Sequence, residues 1–140
     1  ICDIMNRIWD PLRKKEVALT PEEQVRSWFI RVLNESALVP LHMMGSEVAI
    51  EFGQKKYRAD IVVYDRSLRP LVIVECKRPE VELTREVVLQ ALRYNAVLEV
   101  PFVFVTNGKN TYLYGRKGDS AAFEALDSLP KYEEMLICRQ

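Results

Sequence analysis

Two apolar runs that each carry an acid constrain this chain more than any other feature. The first is Tyr57-Arg58-Ala59-Asp60-Ile61-Val62-Val63-Tyr64 and the second Leu71-Val72-Ile73-Val74-Glu75-Cys76-Lys77, with Ser67-Leu68-Arg69-Pro70 between them. Runs this rich in Val and Ile, bounded by Asp, Ser and Pro, predict β-strands. An ionised side chain in a buried sheet carries a desolvation cost that something must offset. Asp60, Glu75 and Lys77 therefore need a reason. Period-two alternation places Glu75 and Lys77 on one face and Cys76 on the other, and a hairpin brings Asp60 toward them. Crowded carboxylates repel until one takes up a proton. A divalent cation removes the conflict, and carboxylate oxygens are the ligands Mg2+ prefers. A lysine beside such a site orients or deprotonates the attacking water. The competing reading is a salt bridge from Lys77 to Asp60 or Glu75 at a sheet edge, because D…ExK is a short pattern.

The flanking segments supply context. Residues 83–99 predict a helix with Thr84 as N-cap and Val87, Val88, Ala91, Leu92 and Leu98 as apolar positions. Gln90 and Tyr94 lie four apart and share a face. A wholly apolar strand is expected over 101–107, then an Asn107-Gly108 turn and a fourth strand over 111–114. Upstream, Thr20-Pro21-Glu22-Glu23 is a helix start, with Pro at the first helical position. This helix is expected to reach about Asn34, burying Val25, Trp28, Phe29, Val32 and Leu33. Glu22 leans toward the core side, whereas Glu23 fits the reciprocal capping role. Arg26, one turn on, suits a pairing with Glu22 or a phosphate. Both glutamates would also favour the helix dipole without any metal. After a loop over 40–46, residues 47–52 alternate as a half-exposed strand, and 53–56 turn into the Asp60 strand.

Taken together, Ala59-Asp60, Glu75-Cys76-Lys77, Gln90-x-x-x-Tyr94 and Val105-Thr106-Asn107-Gly108 resemble the PD-(D/E)xK nuclease superfamily. The chain looks most like the N-terminal nuclease domain of type I restriction enzyme R subunits and their stand-alone relatives. The resemblance spans about residues 20–116, and Ala59 stands where the superfamily name has Pro. It implies an α/β fold with a restriction-endonuclease-like core, a central mixed β-sheet flanked by helices in the order α-β-β-β-α-β-β. It implies Mg2+, with Mn2+ as a substitute, held by Asp60, Glu75, the Cys76 backbone carbonyl and a helix-borne acid, Glu22 in preference to Glu23. Catalysis would rest on Asp60, Glu75, Lys77, Gln90 and Tyr94. Lys55, Arg58 and Arg78 would hold phosphates, although simple solvation also explains Lys55 and its neighbours.

At 140 residues the chain is expected to be one domain: a lead-in over 1–19, the nuclease-like core over 20–116 and a helical extension over 117–140. In the lead-in Pro11 interrupts any long helix and Trp9 is expected to pack on the core. Short helices are expected over 121–126 and 132–138. Formal net charge is zero, so no global basic signature marks a nucleic-acid binder; a local basic rim remains open. Cys2, Cys76 and Cys138 show no CxxC spacing, which suits free thiols in a reducing cytoplasm, and the single His42 builds no zinc site with them. No run approaches a membrane span. The first residue is Ile1 rather than Met, so targeting arguments carry little weight. No G-x-x-x-x-G-K-[ST] loop occurs, hence no ATPase is expected within these residues. The expected partners are DNA and the motor or specificity subunits of a restriction system. A rival reading keeps the fold as a non-catalytic DNA-docking or subunit-interaction module. A third is a nuclease acting on RNA; single-strand preference would mark it, and no aromatic platform for that is visible in the sequence.

Overall fold

The computed structural model describes residues 6–116 and 122–139. Six strands form one sheet in which each pairs with the next in chain order. They follow the chain as β3 (Met44–Phe52), β4 (Lys55–Tyr64), β5 (Pro70–Cys76), β6 (Phe102–Thr106), β7 (Thr111–Gly115) and β8 (Glu124–Ala125). A separate hairpin, β1 (Arg7–Asp10) with β2 (Lys15–Ala18), precedes them. Every neighbouring pair is antiparallel except β5–β6, which is parallel. That pair needs a crossover, and helix α2 (Arg85–Val97) supplies it. The sheet is therefore mixed and flanked by helices, as expected.

Burial follows from the sequence pattern. Val72, Val74 and Cys76 of β5 pack with Ile61, Val63, Phe102 and Phe104 against helix α1 (Pro21–Glu35), which contributes Val25, Phe29, Ile30 and Leu33. Ile30 and Arg26 are buried along with the expected stripe, while Trp28 and Val32 lie partly buried at its margin. The opposite face packs Val103 and Val105 against Leu83 and Ala91 of the α2 side. Buried on both faces, β5 and β6 read as continuous apolar runs. Thr20 caps α1 by accepting from the Glu23 N–H at 3.1 Å, and Thr84 caps α2 by accepting from Val87 N–H at 3.3 Å.

Three expectations are corrected. Trp9 does not pack on the core; it is 55% exposed. The lead-in is a hairpin whose alternation turns Asp10 inward and Trp9 outward, and Asp10 accepts from Leu12 and Arg13 N–H to make the turn around Pro11. The expected helix over 121–126 is instead an edge strand at Glu124–Ala125, because Tyr114 and Gly115 of β7 offer it backbone partners; residue 121 lies outside the described residues, as do 117–120, Cys2 and Ile4. Glu23 does not close the reciprocal cap. The Thr20 N–H is already bonded to Ala18 O at 3.0 Å, which frees the Glu23 carboxylate for arginines. The helix over 132–138 is present as α3 (Tyr132–Cys138).

Candidate active site

The β4–β5 ladder pairs Ile61 with Val74 and goes no further toward the Asp60 end. Beyond that point the Asp60 side chain takes over a backbone role: its Oδ2 accepts from the Cys76 N–H at 2.7 Å. A buried backbone donor is thereby satisfied, and Oδ1 faces α1. There Glu22, Glu47 and Asp60 each present a carboxylate oxygen, all within 4.8 Å of one another. Burial raises the Asp60 pKa to about 7; the Cys76 N–H opposes the rise, Glu22 and Glu75 add to it and Arg26 works against it. Hard oxygen donors at such spacing, one of them protonated near neutrality, are chemically suited to a divalent cation. Glu22 is thus brought to Asp60 as the helix facing suggested.

Glu47 was not foreseen. The β3–β4 register pairs Ser46 with Ile61 and Val48 with Ala59, which leaves Glu47 opposite Asp60. Its φ is +54°, a left-handed conformation that costs a non-glycine residue about 1 kcal/mol or more. Lys14, Leu38, Leu68 and Glu99 share this backbone conformation, so it is the carboxylate cluster and not the strain that singles out Glu47. Strict alternation over 47–52 gave no hint of it, because the irregularity lies at one backbone position.

Arg26 was expected to pair with Glu22 or a phosphate. It is instead buried and sits among other acids. Its guanidinium pairs with Glu23 and donates to Glu47, and Nη1 lies 3.7 Å from Asp60 Oδ1. Arg13 adds a second contact to Glu23 at 3.1 Å. Burial disfavours the Glu47 anion, yet the hydrogen bond and charge of Arg26, with Arg58 behind them, hold its carboxyl below the usual range. The acids around Asp60 are thus partly neutralised by the protein itself.

Glu75 and Lys77 do share a face, but Glu75 stands outside the three-carboxylate set. Lys77 Nζ lies 3.4 Å from Glu75 Oε1, and the Tyr57 hydroxyl is 3.5 Å from Glu75 Oε2. Both residues open into a groove of about 220 Å3 that Gln90 and Tyr94 also line. The Gln–Tyr face of α2 therefore meets the lysine strand. Tyr57, which no motif in the sequence singles out, stacks on Tyr94 with ring centroids 5.0 Å apart and planes at 23°. Burial and the Glu75 charge raise its pKa. The salt-bridge reading of Lys77 describes its present partner, but at a central strand rather than an edge.

The outer cations are less organised. Lys55, Arg58 and Arg78 are exposed. Arg58 lies 3.3 Å from Glu47 Oε2 and Arg78 lies 3.7 Å from Glu80. Cys76 is buried and Cys138 exposed, both with free thiols. Among the described residues no helix is long and apolar enough to cross a membrane.

Comparison with known proteins agrees with this architecture. The family model described as "Type I restriction enzyme R protein N terminus (HSDR_N)" matches residues 21–130. The fold is similar to a crystal structure from Anabaena variabilis ATCC 29413, titled a "putative nuclease". That similarity has a TM-score of 0.51 at 14% identity and covers 82% of this chain and 74% of the other. No curated protein matches.

Proposed function

The chain belongs to the family of type I restriction enzyme R protein N-termini, and on that premise we propose that it is a metal-dependent nuclease domain hydrolysing DNA phosphodiesters. The observation that carries the reading is the meeting of Asp60, Glu22 and Glu47 within 4.8 Å, beside a strand that presents Glu75 and Lys77 to one groove. Asp60, Glu22 and Glu47 would hold Mg2+, or Mn2+ in its place, and Glu75 and the Cys76 carbonyl, which lie outside that cluster on the neighbouring strand, would complete the shell as the ion and substrate bind. Such an ion supplies Lewis-acid stabilisation of charge developing on the phosphate.

The chain's own groups do the rest. Lys77 hydrogen-bonds and orients the attacking water for in-line displacement of the strand oxygen. Gln90 and Tyr94, on the α2 face across the groove, hold the phosphate and the lysine in register. Lys55, Arg58 and Arg78 contribute backbone phosphate contacts without sequence reading. Motor and specificity subunits of a restriction system would supply choice of site.

One observation favours a second reading, a non-catalytic docking module. Arg26 already places a buried guanidinium among Glu23, Glu47 and Asp60, where a resident cation leaves less need for a metal. Cleavage of supercoiled, linear and single-stranded DNA in Mg2+ or Mn2+ separates the two. Lys77→Ala and Asp60→Ala should each lower the rate by at least ~100-fold, the scale of a lost acid–base or metal-holding group. Cutting that survives both substitutions would exclude this site. No cutting, with no calorimetric metal binding that depends on Asp60 and Glu75, would establish the docking module instead.

A further inference from the structure

The stacked pair Tyr57–Tyr94 borders two hollows. One is the groove holding Glu75 and Lys77. The other is a larger cavity of about 490 Å3, lined by Lys55, Tyr57, Arg93, Tyr94 and Leu98 beside the Gly53 turn. Its volume falls within the range of small-molecule sites, about 300–1,000 Å3. Two aromatic rings, a leucine and two cations are among its lining groups. Tyr94 keeps 47% of its surface exposed, and among the described residues neither Lys55 nor Arg93 pairs with an acid. Tyr94 and Lys55 also serve the proposed hydrolytic site, but the cavity itself lies on the far side of the tyrosine pair from Glu75 and Lys77.

We propose that the cavity receives an unpaired nucleobase of the DNA strand whose phosphate lies in the adjoining groove. The inference rests on the nuclease reading and adds to it the form of substrate. Ring faces bind any base by stacking, without reading its edges. Lys55 and Arg93 supply the positive charge that the flanking phosphates require, in a chain whose net charge is zero. A base inside a duplex has both faces covered by its neighbours, so only an unpaired or extruded base can enter a concave aromatic pocket. Two tyrosines far apart in sequence make the platform, which is why no cluster of aromatics announced it.

The test is binding in EDTA, where no cleavage intervenes. The probes are a single-stranded oligonucleotide carrying 2-aminopurine and the same sequence fully paired. The single strand should bind more tightly, and its 2-aminopurine fluorescence should fall on binding. Tyr94→Leu should weaken single-strand binding by ~10-fold and abolish the quenching, a loss on the scale of one stacking contact. Tyr94→Phe should retain both, and Lys55→Ala with Arg93→Ala should weaken binding and flatten its salt dependence. Thermal melts establish that each variant is folded. Equal affinity for paired and unpaired probes, quenching that persists in Tyr94→Leu, or no binding of either probe would overturn the proposal. Cleavage of closed duplex circles in Mg2+ reports on the nuclease reading alone. Wild-type protein that cuts circles but shows no stacking defeats only the base pocket. Protein that stacks bases but cuts nothing defeats only the nuclease.

Discussion

Asp60 carries two duties that pull its ionisation in opposite directions. One oxygen accepts the Cys76 N–H, while the other faces Glu22 and Glu47. Its pKa of about 7 in the metal-free protein is raised above the ordinary 3.8, with burial as the leading cause. The folded state therefore holds a proton between those values that the unfolded chain has released. Stability contributed by the neutral form is present at low pH and lost as pH rises through about 7. Asp60→Asn keeps an acceptor for Cys76 and removes the titration. In EDTA at pH 8 it should be more stable than wild type by about 1–3 kcal/mol, and the difference should shrink toward pH 5. Denaturant titrations across that range test the sign: a difference that stays flat from pH 8 to pH 5 would show Asp60 to be ionised throughout. Glu47 and Arg26 belong to the same balance, since the strained backbone at Glu47 holds a carboxylate against the guanidinium.

Helix α1 is the element that delivers Glu22, and its geometry depends on a cap one residue before Pro21. Thr20→Ala removes the acceptor for Glu23 N–H and should cost about 1 kcal/mol. Urea unfolding should show a lower midpoint with an unchanged slope, the mark of a stability change without a change in the exposed surface. Elements of this kind were legible in the sequence. Thr-Pro-Glu-Glu located the start of α1, Thr84 the start of α2, and the Val–Ile runs the strands β4, β5 and β6. The acids on those strands marked the candidate region because charge inside an apolar run is costly, although only Asp60 of the two lies in the carboxylate cluster. What escaped was set by partners distant in sequence. Glu47 reaches Asp60 because the β3–β4 register sets it opposite that residue. Arg26 is buried because Glu23, released from the cap, and Glu47 both face it. Glu124–Ala125 extends because the edge of β7 has backbone groups to satisfy, not because those residues favour a strand.

At the scale of the molecule, the family match ends at residue 130, yet the core does not. Tyr132 and Met135 of α3 are buried in the same apolar cluster as α1, β4 and β5. Polar contacts lock the same helix across the end of the sheet. Tyr132 N–H donates to Ala37 O and its hydroxyl to Tyr64 O, each at 2.8 Å. Arg139 donates to Pro70 O at 2.5 Å and to Asp65 at 3.2 Å. Asp65 in turn fixes the β4–β5 turn by accepting from Ser67 and Arg69 N–H. That turn begins the β4–β5 ladder, which ends at Ile61–Val74 beside Asp60 and Glu75, so α3 supports the candidate site from the opposite end of that pairing. Deleting residues 131–140 should therefore remove far more than a tail. Met135→Ala alone should cost about 2–5 kcal/mol, and losing Tyr132 as well should approach the whole stability of a small domain, about 5–15 kcal/mol. The shortened chain should show no cooperative thermal transition, whereas Met135→Ala should melt cooperatively at a lower temperature. A shortened chain that melts within a few degrees of the full one would make α3 an appendage and confine the core to the family's own boundary.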